Sequence, residues 1–160
     1  MGILLCIFSA FLDILLLNIF RFKVSEIVFL YPMFTLTSII YISTFYNSSS
    51  RKNYYFLVLI TAIIYDTLAV NNLLISITAF EIIAYLNMKL RENFHNNLFN
   101  LIIRLLISLF VYELVFSSLL VIVGYQTFDI YKLIYKYINS ILINLFYLIM
   151  MFFVLKNRRG

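Results

Sequence analysis

The sequence predicts an all-α integral membrane bundle of about six transmembrane helices, forming a single polytopic domain over residues 1–160. Three observations predict it. Of the 160 residues, 64% are hydrophobic and 12% charged, against about half and about a quarter in ordinary soluble domains. The mean hydropathy is +1.02. The apolar residues fall in runs long enough to cross hydrocarbon, separated by short charged or polar clusters. A water-soluble fold must cover its surface with polar side chains, and this chain has too few.

A crossing helix needs roughly 20 apolar residues, within a range of about 17 to 25. The first span covers about residues 3–20 and is closed by "RFKVSE". The first basic residue is Arg21, so no charged segment precedes the apolar run, which is expected to be retained rather than cleaved. Cys6, the single cysteine, is expected to act as a small buried hydrophobe. The second span, about 27–46, is closed by "NSSSRKN".

Residues 54–90 are too long for one crossing at about 1.5 Å per residue. They divide into spans of about 54–70 and 72–88 at Asn71 and Asn72. Asn suits that turn because it tolerates left-handed backbone and bonds its own main chain. "KLRENFHNN" closes the fourth span, the fifth runs over about 98–123 to Gly124, and the sixth over about 138–155 to "KNRRG". Between the last two, Phe128, Tyr131, Ile134, Tyr135 and Ile138 share one helical face, while Asp129, Lys132 and Lys136 share another. That pattern suits a short helix over about 126–137, lying in the membrane interface, with a polar loop carrying some tyrosines as the alternative.

The net charge of +5 reflects anchoring and topology rather than nucleic-acid binding, because the basic residues flank the apolar runs. With the N-terminus inside, Arg51, Lys52, Lys89, Arg91, Lys156, Arg158 and Arg159 face the cytoplasm, seven against four outside (Arg21, Lys23, Lys132 and Lys136). Both termini are therefore expected on the cytoplasmic side.

Four acids interrupt the spans: Asp13, Asp66, Glu81 and Glu113. An ionised side chain facing lipid at the bilayer centre costs at least about 2.5 kcal/mol, so these should face the bundle interior. Glu81 and Arg104 lie at equal sequence distances from the middle of the loop between spans four and five, which predicts an ion pair at equal depth. Asp66, about one turn before Asn71, is expected to bond the backbone of the reversal or accept a tyrosine hydroxyl. Asp13 and Glu113 are expected to bond Asn, Ser or Tyr partners.

Enzymatic chemistry is not expected. One histidine, His95, cannot build a metal cluster or a catalytic triad. Three glycines, Gly2, Gly124 and Gly160, leave no phosphate-cradling loop. No paired-aspartate signature of membrane phosphotransferases is present.

The hairpin "LITAIIYDTLAVNNLLISITAFEIIAYLNMKL", the stretch "HNNLFNLIIRLLISLFVYELVF" and the ending "YKYINSILINLFYLIMMFFVLKNRRG" follow one another in an order of features. That order resembles the MreD family, a membrane component of the bacterial cell-elongation machinery. "FLYPMFTLTSIIYIS" is similar to the family's second span, proline included. The departures are Ile63 and Ile64 before the aspartate, and Asn71-Asn72 in the turn, where the family carries glycine. The resemblance implies a non-catalytic scaffold of the cell-shape complex, without cofactors. It would bind the single-span coiled-coil protein MreC and link MreB filaments to peptidoglycan synthesis. RodZ, RodA and a transpeptidase are further implied partners, together with membrane lipids. The implied fold is similar to the substrate-binding subunits of energy-coupling-factor transporters. Residue by residue, only Asp66 has a counterpart, with a structural role.

A substrate-binding membrane subunit of an energy-coupling-factor vitamin transporter is the alternative reading. It calls for a polar outer pocket and for small residues at four-residue spacing on the first helix. That helix offers Cys6, Ser9 and Ala10 but no Ala-x-x-x-Ala.

Overall fold

Five apolar stretches and one short one become six α-helices in the computed structural model, which describes residues 2–21, 31–46, 48–70, 75–94 and 97–156. They are α1 (Gly2–Arg21), α2 (Phe34–Ile42), α3 (Arg51–Tyr65), α4 (Ile75–Asn93), α5 (Leu98–Ile122) and α6 (Ile130–Lys156). There is no strand among the described residues. Two helical stretches, Leu98–Ile122 and Ile130–Leu155, are long and apolar enough to cross a membrane, while Gly2–Leu16 and Phe34–Phe45 are shorter apolar helices.

Successive helices pack as antiparallel neighbours: α3 on α4, α4 on α5, and α5 on α6. α1 lies against α2 and α3, and α2 also touches α4, α5 and α6. This order gathers Gly2, the end of α2, the start of α3 and the end of α6 at one end of the bundle. The approach of α1 to α3 there is close, since a Cβ at Gly2 would stand 3.1 Å from Leu57 Cδ1.

α2 departs furthest from the reading of a crossing over 27–46. Among the described residues of that stretch only Phe34–Ile42 is α-helical, extended by a 3-10 turn at Ser43–Phe45. Twelve residues span roughly 20 Å, short of the hydrocarbon core of about 30 Å. Pro32 stands just before it, and proline both lacks an N–H and disfavours helix in the residue preceding it. All nine α2 residues are buried, so this helix is the centre of the bundle rather than part of its wall.

α6 also departs from the reading. The expected interfacial helix at 126–137 and span at 138–155 are one continuous helix, Ile130–Lys156. Asp129 starts it by accepting the N–H groups of Tyr131 (3.0 Å) and Lys132 (3.2 Å) on Oδ1. No glycine or proline follows before Lys156 to interrupt it. A change of outward-facing chemistry along a helix is not a break in its backbone.

Gly124 ends α5 as expected. Its φ of 84° is the left-handed conformation that glycine adopts at no steric cost. The N–H of Tyr125 reaches back to the Leu120 carbonyl at 2.9 Å, and that of Gly124 to Val121 at 3.0 Å, closing the helix end. α3 is followed directly by a π-helical turn, Asp66–Val70. The predicted turn residues Asn71 and Asn72 lie outside the described residues, as do Arg158, Arg159 and the side chain of Lys156.

Candidate functional site

The polar side chains of the spans converge on α2. At its N-terminus, Asp13 of α1 accepts the backbone N–H of Phe34 on Oδ1 (2.8 Å). Its Oδ2 accepts the N–H of Thr35 (2.9 Å) and the Thr35 hydroxyl (2.7 Å). The first N–H groups of a helix have no partner within it, and a carboxylate there also meets the positive end of the helix dipole. Asp13 therefore caps α2 from another helix. Asn144 of α6 completes the grip: its Oδ1 accepts Met33 N–H at 2.9 Å, and its Nδ2 donates to the carbonyls of Tyr31 (3.2 Å) and Ser140 (2.7 Å).

Midway along α2 a hydroxyl cluster fastens it to α1 and α6. Ser9 Oγ shares hydrogen bonds with Ser38 and with Tyr147 (2.7 Å), and donates to the Leu5 carbonyl at 2.7 Å. The Phe34 and Tyr147 rings pack 4.3 Å apart beside it.

At the C-terminus of α2 stands Arg104 of α5, fully buried. Its Nη2 donates to Ser43 Oγ, the C-cap residue, and to Asn87 O and Oδ1, each at 3.3 Å. Asn87 Nδ2 in turn donates to Ser108 at 2.8 Å. A cation at this position complements the negative end of the α2 dipole. Nε and Nη1 of Arg104 have no partner among the described residues.

The expected Glu81–Arg104 pair does not form: Glu81 is part-exposed on α4, and Arg104 turns to Asn87 instead. The reason is the length of α4, which runs to Asn93 and leaves Phe94–Asn97 as the connection. Asn87 lies seven residues before that connection and Arg104 seven after it, so the depth match falls on Asn87.

The remaining acids sit toward the other end. Asp66 is fully buried in the π-helical turn, and neither of its carboxylate oxygens has a partner among the described residues, so the expected backbone or tyrosine bond is absent there. Glu113 is buried as well. Tyr65 and Tyr112 are engaged through their rings. Tyr65–Phe80, Phe80–Tyr112 and Tyr112–Phe116 form a ladder with centroids 5.3, 5.6 and 5.6 Å apart.

Of the cations expected on the inner face, Arg51, Lys52, Lys89 and Arg91 gather at the Gly2 end. Arg51, at the start of α3, pairs with Glu92 near the end of α4. Lys52 is exposed, Lys89 stands over the Tyr85 ring at 5.5 Å, and Arg91 is half-buried.

Sequence reasoning found Asp13 and Arg104 but missed Thr35, Ser43, Asn87 and Asn144. Their signal was present, since each is a hydrogen-bonding side chain inside an apolar run. Among the described residues, no group of three His, Cys, Asp or Glu side chains is arranged to hold a metal ion. The interior is chemically a hydrogen-bonded lattice around a helix. Comparison with known protein families, with characterised proteins and with solved structures gave no match.

Proposed function

We propose that this chain is a multi-pass protein of a bacterial cytoplasmic membrane, with both termini inside, acting as a non-catalytic scaffold of MreD type. The observation that carries the membrane reading is reversed polarity. Ser9, Asp13, Asn87, Arg104 and Asn144 are buried, whereas Phe99, Ile122, Leu142 and Phe146 are among the most exposed side chains, at 71, 78, 78 and 64%. Water would favour the opposite arrangement, and lipid tolerates this one. The six helices alternate in direction, with α2 as a short inner helix shielded by the others.

The scaffold reading is supported by how the interior polar groups are used. Asp13, Asn144, Ser9 and Asn87 bond helices to one another, the interhelical bonding that holds membrane bundles together. The transporter alternative loses support at two points. Cys6, Ser9 and Ala10 of α1 face the core rather than a docking partner. The N-terminus of α2, where an anionic substrate group would bind, is occupied by Asp13.

Affinity purification of a tagged copy from its own membranes in mild detergent, followed by mass spectrometry, tests this. Recovery of a single-span coiled-coil protein of MreC type with wall-synthesis enzymes, MreB, RodZ or RodA among them, is the expected result. Recovery of ATPase subunits with a coupling membrane protein would replace the scaffold by the transporter reading.

A further inference from the structure

At the Gly2 end of the bundle, a groove of about 190 Å³ opens between α1, the end of α2 and the end of α6. Its lining is Gly2, Leu5, Ile42, Phe45, Tyr46 and Leu155, apolar apart from the Tyr46 hydroxyl and the backbone. Cavities of about 150 Å³ lined by such side chains stay dry and take up benzene-sized apolar groups. This one is open to the outside, and Phe45 at its rim is half-exposed.

The surroundings say what the rest of an occupant should carry. The Tyr46 ring packs on Tyr54, with centroids 5.6 Å apart, and Tyr54 lies one turn beyond Arg51 on α3. At this end of the bundle Arg51 engages Glu92, Lys89 stands over the Tyr85 ring and Lys52 is exposed. An apolar slot at the end of the bundle that carries these cations matches a molecule with a hydrocarbon chain and an anionic head.

We propose that this groove holds an acyl chain of an acidic phospholipid, with the lipid phosphate among the cations that begin α3 and end α4. The proposal rests on the membrane reading above and deepens it, by giving the inner end of the bundle a lipid preference. Lys52, exposed and not committed to Glu92, is the headgroup contact at the start of α3. Each basic side chain near an anionic lipid surface strengthens attraction to that surface about fivefold.

The chain contains no tryptophan, so a single substituted indole reports its own surroundings. Phe45→Trp places one at the groove. Phe146→Trp places one on the exposed face in the middle of α6, away from the cations at either end, as a comparison. Each protein is reconstituted in phosphatidylcholine vesicles containing a minor fraction of lipid with brominated acyl chains, either phosphatidylcholine or phosphatidylglycerol.

The expected result is severalfold stronger quenching of the Phe45→Trp protein by the brominated acidic lipid than by the brominated neutral one. The Phe146→Trp protein should be quenched equally by both. Adding Lys52→Ala and Lys89→Ala to the Phe45→Trp protein should reduce its preference. Equal quenching of the groove indole by the two lipids would overturn the acidic-lipid assignment. Absence of quenching in the Phe45→Trp protein alone would mean that protein, from this chain or a partner, fills the groove. Absence of quenching in both proteins would overturn the membrane reading itself.

Discussion

Asp13 and Arg104 stand at opposite ends of α2, the acid on its first N–H groups and the cation on its C-cap residue Ser43. Neither is the other's ion-pair partner. The helix between them links them electrostatically, because its dipole presents a positive end to Asp13 and a negative end to Arg104. Each end contributes up to about 2 kcal/mol where the geometry is partly buried. Two charges that composition alone would mark as liabilities thus become the fixings of a central helix.

Removing the acid should expose its role. Asp13→Ala leaves two backbone N–H groups and the Thr35 hydroxyl without their acceptor. Each abandoned buried donor costs about 1–3 kcal/mol, so a loss of about 3 kcal/mol or more is expected. Asp13→Asn keeps one acceptor and should lose less. Equilibrium unfolding in detergent measures both, and unchanged stability of the alanine variant would contradict the cap.

Glu81 and Arg104 should behave independently. Arg104 bonds Ser43 and Asn87, so exchanging the two charges cannot restore an interaction that is absent. The Glu81→Arg, Arg104→Glu double variant should lose at least the sum of the single losses. A double-mutant cycle checks this, and rescue by more than about 0.5 kcal/mol would show that the two side chains do meet.

These two cases also show how far the sequence could be read. The ends of α1, the α3–α4 hairpin and the ends of α5 follow from local signals: apolar runs, charged breaks and Gly124. The start of α2 does not, because its cap is Asp13, about twenty residues away and on another helix. The Glu81 expectation used sequence distance without knowing that α4 runs on to Asn93, and that displaced the depth match to Asn87. For α6, the change in facing chemistry at Tyr137 and Ile138 suggests a boundary, yet nothing there stops a helix. Helix existence is local information. Which polar side chains meet is tertiary information.

Asn144 and Asp13 grip the same segment and should be coupled. Asn144→Leu removes the acceptor of Met33 N–H and the donor to the Tyr31 carbonyl, for an expected cost of about 1–3 kcal/mol. Combined with Asp13→Ala the losses should not add, because once residues 31–35 are released by one change the other has less to hold. A coupling energy above about 0.5 kcal/mol is expected from the cycle. Strict additivity would contradict a shared grip.

The Arg51–Glu92 pair should contribute little. Its side chains are 42 and 51% exposed, so water and salt screen the attraction. Glu92→Gln should change unfolding free energy by less than about 1 kcal/mol. A larger loss would mean that the start of α3 and the end of α4 are more shielded than their exposure indicates.

The central claim is that the exposed apolar face of the bundle lies in lipid. Its most direct test is labelling of single cysteines with a membrane-impermeant maleimide in intact membranes, in a Cys6→Ala background. Leu142→Cys sits at a side chain 78% exposed in the middle of α6, and Lys132→Cys sits near its first turn. The account predicts that Lys132→Cys reacts from outside while Leu142→Cys stays unlabelled until the membrane is dissolved in denaturing detergent. Equal, rapid labelling of both would show water along that face, and the membrane bundle would be wrong.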